Sequence, residues 1–130
     1  AIFAMMSMVA FAQSTKDYKT KTKENSKERT QLLDILRAHL YPEYKQEFVF
    51  VVNHFKVSGN YAFFMGDAQQ KDGSKPDVSS ETADCCHVEA LFVKKQGKWY
   101  IEEAVAFSTD LWWAGIWEER DLPKSIFPMD

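Results

Sequence analysis

Phe48-Val49-Phe50-Val51-Val52-Asn53-His54-Phe55-Lys56-Val57-Ser58-Gly59-Asn60-Tyr61-Ala62-Phe63-Phe64-Met65 is the stretch that decides how this chain folds. It is rich in β-branched and aromatic residues, which suit a pleated, half-buried surface. Gly59-Asn60 is a good two-residue hairpin turn. Pairing Ser58 with Tyr61 sets Phe55 opposite Phe64 and Val57 opposite Ala62. Strict alternation then adds Val49 and Val51 to that face and leaves Phe48, Phe50, Val52, Phe63 and Met65 on the other. Both faces are apolar, so the hairpin is expected at the centre of a sheet covered on both sides.

A second hairpin follows, Cys86 to Lys94 and Lys98 to Phe107, turning at Gln96-Gly97. With Lys95 opposite Lys98, Lys94 meets Trp99, Phe92 meets Ile101, Ala90 meets Glu103 and Val88 meets Val105. Between the hairpins, Gln69 to Asp84 is a polar loop, long for a compact domain. Upstream, Asn25-Ser26-Lys27-Glu28 fits a capping box. Leu32, Ile35, Leu36 and Leu40 recur at helical spacing behind it, and Pro42 is expected to end that helix. Downstream, Ser108-Thr109-Asp110 suits a helix cap before Leu111-Trp112-Trp113-Ala114-Gly115-Ile116-Trp117. The pattern predicts an α+β domain over residues 25–130. One N-terminal helix packs on a four-stranded antiparallel meander, and an aromatic C-terminal segment covers the sheet.

The start of the chain carries a different signal. Residues 1–12 are apolar and end in Ala10-Phe11-Ala12, the small-x-small ending that signal peptidase accepts. They read as a signal-peptide remnant and place the mature protein in the periplasm or outside the cell. A truncated anchor is the competing reading, although twelve apolar residues are too few to span a bilayer, which needs about 20. No Cys stands near that point for lipid attachment. Residues 13–30 hold six Lys/Arg against three Asp/Glu, and the remainder holds ten against sixteen. Residues 13–24 therefore read as a basic flexible linker before an acidic body. The acidic body argues against nucleic acid as a partner. No phosphate-binding Gly-rich loop or Gly-x-Ser-x-Gly elbow is present, and no cofactor is expected.

Val57-Ser58-Gly59-Asn60-Tyr61-Ala62-Phe63, Gly97-Lys98-Trp99-Tyr100-Ile101, Thr109-Asp110-Leu111-Trp112 and Pro123-Lys124-Ser125-Ile126-Phe127 resemble motifs of small uncharacterised exported bacterial proteins with a cystatin-like or NTF2-like architecture. The resemblance spans about residues 28–128 and rests on packing and turn motifs, so it implies the fold more than an activity. The single N-terminal helix departs from full-length NTF2-like enzymes, which usually have several.

Three groups of residues invite a chemical reading. Glu103 falls on an apolar strand face, where a carboxylate loses hydration and becomes a candidate general acid or base. His54 and Tyr61 would be its helpers in an NTF2-like isomerase or dehydratase. A one-residue slip of register would instead put Glu102 inward. Cys85-Cys86-His87 is the second group. Alternation along a strand allows Cys85, His87 and Glu89 to share a metal and excludes Cys86, but no second ligand pair completes such a site, so no metal is expected. A bridge between adjacent cysteines departs from normal disulfide geometry, and the plainer reading makes Cys86 a core residue and Cys85 a free thiol. The third group is Asp110 with Trp112, Trp113 and Trp117, a binding surface if the rings are exposed and a cover for the first hairpin if they are not. Together these favour an exported, non-catalytic domain that binds a protein or small ligand, with homodimerisation through an uncovered sheet face as a further option.

Overall fold

A computed structural model describes residues 14–78 and 84–128, so the expected signal remnant at 1–12 lies outside the described residues. The elements run β1 (Lys16–Asp17), α1 (Ser26–Tyr44), β2 (Val49–Ser58), β3 (Tyr61–Gln69), β4 (His87–Lys95), β5 (Lys98–Ala106), α2 (Ile116–Glu119) and a single 3-10 turn (Lys124–Ile126). The strands form one antiparallel sheet in the order β1-β2-β3-β4-β5. Among the described residues the architecture is thus α+β with one long helix, and the sheet has five strands where four were expected. No helix among the described residues is long and apolar enough to cross a membrane.

The fifth strand comes from the stretch expected to be linker. Lys16 and Asp17 pair with Val57 and Lys56, and the Tyr18 amide donates to the Phe55 carbonyl at 2.7 Å. Tyr18 is only 4% exposed, with its ring edge-on to Phe55. Charge counting missed it because one buried aromatic outweighs several solvated lysines around it. Asn25 departs from expectation too. It stands at the helix N-cap but makes no side-chain cap bond. Its amide group ties the preceding turn instead, accepting from the Thr22 amide and donating to the Thr20 carbonyl. Nor does Pro42 end the helix, which continues to Tyr44. A proline in the last turn removes one backbone bond, and Lys45 closes the end in a left-handed conformation by donating to the Tyr41 carbonyl.

Both turn registers match the sequence: Ser58 pairs with Tyr61 and Lys95 with Lys98. Gln96 and Gly97 both have positive φ, as a tight two-residue turn demands. Farther from the turns, two bulges reassign the faces. In β2, Val52 pairs with Gly66 and His54 with Met65, so Asn53 is left over. Phe48, Phe50 and Val52 thereby join Phe55 and Phe64 beneath the helix, while Val51 turns outward and is 45% exposed. In β5, Phe92 pairs with Ile101 and Leu91 with Glu103, so Glu102 is left over. The expected pairs of Ala90 with Glu103 and Val88 with Val105 become Ala90 with Ala104 and Val88 with Ala106. A bulge adds one residue to one strand and shifts the alternation beyond it.

Two cores result, one on each face. Leu32, Leu33, Leu36 and Leu40 of α1 bury against Phe48, Phe55, Phe64 and Phe92. On the opposite face Phe63 and Leu91 are covered by Ile116, Ile126 and Phe127, with Trp112, Trp113 and Trp117 around them. Each such apolar side chain removed from water contributes about 1.5–3 kcal/mol. Gly66 sits where the bulged strand comes close. A Cβ there would lie 2.5 Å from the Val51 carbonyl oxygen and 2.7 Å from the Phe64 ring. Gly66→Ala is expected to destabilise by about 1–3 kcal/mol in urea denaturation, because backbone must move to admit the methyl group.

Candidate functional site

A buried polar cluster lies on the second face, beneath the C-terminal segment. Glu89, on β4, is 2% exposed. Its two oxygens accept the Trp112 Nε1–H at 2.8 Å and the Trp113 Nε1–H at 2.9 Å. His87, two residues earlier on the same strand face, places Nε2 2.9 Å from the second of those oxygens. A buried carboxyl group must be supplied with donors, and here three converge on it. Phe63 packs against both Trp112 and Trp113, and Phe127 stacks on Trp113 and contacts Trp117. The three tryptophans are therefore structural cover, and Trp112 and Trp113 aim their N–H groups inward at Glu89. The helix expected over residues 111–117 is confined to Ile116–Glu119, and Asp110 is exposed and outside it.

Glu103 stands apart from this cluster. The bulge at Glu102 sets it opposite Leu91, 36% exposed and 3.0 Å from an Arg120 guanidinium nitrogen. An exposed, ion-paired carboxylate is poorly placed for buried acid–base work. The proposed helpers are not gathered around it. His54 is packed edge-on to Phe63, with Nε2 2.6 Å from the Ile126 carbonyl oxygen, which fastens the last turn to β2. Tyr61 is part of the apolar layer there.

Burial holds the His54 pKa below the usual histidine value, partly opposed by the bond to the Ile126 carbonyl. The unfolded chain therefore takes up the proton first. Stability from this site is complete above about pH 6.5 and falls as pH drops through the lower folded value. The urea midpoint should decline from about pH 7 to pH 5, and His54→Gln, which keeps an N–H donor, should flatten that decline.

A second carboxylate is also engaged in structure. Glu28 accepts from the Tyr18 hydroxyl, the Trp99 indole at 3.0 Å and Lys94 Nζ at 3.3 Å, joining α1 to the residue after β1 and to β4 and β5. Desolvation opposes its ionisation, but those donors win and hold its pKa below the ordinary glutamate value. Burial, with Glu28 beside it, pushes the Tyr18 hydroxyl well above the ordinary tyrosine range.

The cysteines depart from the free-thiol expectation. Cys85 and Cys86 are joined to each other. They occupy a bend just before β4, where strand alternation does not apply. The expected trio of Cys85, His87 and Glu89 is therefore divided: His87 and Glu89 meet under the tryptophans, and Cys85 bonds to Cys86. Asp84 closes the bend, its Oδ1 accepting the Cys86 and His87 amides at 2.9 and 3.2 Å. Those bonds, the Cys86 amide first, lower the Asp84 pKa.

One surface was not legible as a site in the sequence. Among the described residues β5 is the last strand of the sheet, and its outer edge has no strand partner there. Lys94, opposite Trp99, sends its N–H to the Asn60 carbonyl, away from β5. In an antiparallel ladder the residue opposite likewise points its own N–H and C=O outward, so Trp99 and Ile101 present theirs at the free edge. A groove of about 700 Å³ runs beside Trp99, walled by Thr30, Asp34 and Ile35 of α1 and by Lys98, Trp99 and Tyr100 of β5. The other edge is closed at several points. β1 pairs over Lys56 and Val57, Arg37 Nε donates to the Phe48 carbonyl at 2.7 Å, and the bulge at Asn53 interrupts the rest.

Compared with protein-family models, with curated proteins and with solved structures, the chain has no match.

Proposed function

We propose that this chain is a non-catalytic exported binding domain, of cystatin-like or NTF2-like architecture, that receives an extended segment of a partner protein on the edge of β5. The observation that carries this reading is the Trp99–Ile101 edge, which has no strand partner among the described residues, with a groove beside Trp99. Edge strands left open are templates for strand addition. Main-chain bonds would supply affinity, and the mixed walls of Ile35, Asp34 and Lys98 would select side chains. Beyond Ile101 the bulge and the charges of Glu102 and Glu103 blunt the edge, so the receiving stretch is short. The buried and half-buried carboxylates Glu89 and Glu28 have their donors, which supports binding over acid–base catalysis. Export is supported by the Ala10-Phe11-Ala12 ending and by cysteine pairing, which oxidising compartments favour.

The test is selection of peptides from a displayed random library on the purified chain. Selected peptides should lose at least about tenfold in affinity when alternate backbone amides are N-methylated, and little when the intervening ones are, because only every second amide faces β5. Insensitivity to both methylation patterns would overturn the reading. So would a dimer in light scattering whose dissociation is required before peptide binds, since a second copy would then occupy the edge.

A further inference from the structure

The bond between Cys85 and Cys86 has no ordinary structural role. A disulfide stabilises mainly by closing a loop of unfolded chain, and the benefit grows with loop length. Adjacent residues close no such loop. The bend that carries them is held by other means: Asp84 binds the Cys86 and His87 amides, the Ala68 amide donates to the Cys86 carbonyl at 2.7 Å, and Phe107 does the same to His87. These four hydrogen bonds hold the bend independently of the sulfur–sulfur bond. The two sulfurs and an Asp84 carboxylate oxygen all lie within 4.8 Å of one another, half-buried at a groove that also touches Gln69 and Lys75.

We propose that reduction of this disulfide creates a site for one soft divalent cation of the Zn²⁺ class, with Cys85 Sγ, Cys86 Sγ and an Asp84 oxygen as ligands and water as the fourth. Two thiolates with one carboxylate suit Zn²⁺ or Cd²⁺ and disfavour Mg²⁺ or Ca²⁺. Tetrahedral ligation at about 2.3 Å would place the sulfurs about 3.7 Å apart, so the reduced sulfurs need only separate across the bend. The reductant is a protein or small-molecule dithiol. It transfers two electrons and two protons, giving two cysteine thiols and its own disulfide. The metal then displaces both thiol protons and forms two metal–sulfur bonds. Metal binding and oxidation thus exclude one another, because each uses the same sulfur electrons.

The experiment titrates Cd²⁺ into the full chain, oxidised and dithiol-reduced, after removal of reductant under inert gas. The reduced chain should develop a thiolate-to-Cd²⁺ charge-transfer band saturating at one ion per chain, and the oxidised chain none. Zn²⁺ should abolish the band by competition. Asp84→Asn should weaken Cd²⁺ at least about tenfold while keeping the band. Far-UV circular dichroism of the reduced wild-type chain checks that the fold survives, and Cys85→Ser with Cys86→Ser should remove the band from a folded chain. No band in the folded reduced chain, or unchanged affinity in Asp84→Asn, would overturn the proposal.

Discussion

Glu89→Ala should detach the C-terminal segment from the sheet and lower unfolding free energy by about 3–5 kcal/mol. The substitution leaves the Trp112 and Trp113 indoles and His87 without their common acceptor, and it opens a void under residues that are otherwise packed. Glu89→Gln separates the two effects. It fills the volume and keeps one acceptor oxygen, but it turns an amide N–H toward a donor. Its loss should be about half that of the alanine variant. Urea titration followed by tryptophan emission reports both, because the rings that read the transition are the ones released. Emission of Glu89→Ala should shift toward that of water-exposed indole even before global unfolding. A variant as stable as wild type would mean that the segment is held by ring packing alone.

The second large effect lies at the other end of the chain. Tyr18→Ala should cost about 3–5 kcal/mol, the range for losing a buried aromatic ring. The ring packs on Phe55, and its hydroxyl donates to Glu28, which also holds Trp99 and Lys94. Tyr18→Phe keeps the ring and should cost only about 1 kcal/mol. Removal of the ring should also free β1, whose two-residue pairing with β2 is too short to persist alone. Faster amide exchange at Val57, whose N–H faces β1 at Lys16, in Tyr18→Ala would report that. If Tyr18→Ala matched wild type, the stretch before Asn25 would be the solvated linker that its charge suggests.

Where the sequence was legible, local chemistry settled the structure. Turn residues placed both hairpins, and the pairs between each turn and its bulge, out to Phe55 with Phe64 and Phe92 with Ile101, followed from counting outward. Counting failed at Asn53 and Glu102 because a bulge carries no mark in the alternation itself. Gly66 was the one clue, a glycine in a strand where close backbone approach forbids a side chain. The bulge at Glu102 is also why Glu103 read as a buried acid: alternation passed it to the wrong face. Glu89, the buried carboxyl group, was noticed only as a neighbour of the cysteines. Its indole partners lie more than twenty positions away, and no local pattern pairs them. Tryptophan cover of the second face was legible, because that face needed a cover and the tail supplied the rings.

The proposed binding role requires that the edge of β5 be open in the free chain and covered by an extended peptide in the complex. Amide hydrogen exchange at Trp99 and Ile101, with and without a selected peptide, tests it most directly. Both should exchange rapidly in the free chain, with Tyr100 between them protected by β4, and both should slow by at least about 100-fold in the complex. Protection already present in the free monomer, or slowing confined to residues 111–127, would contradict it.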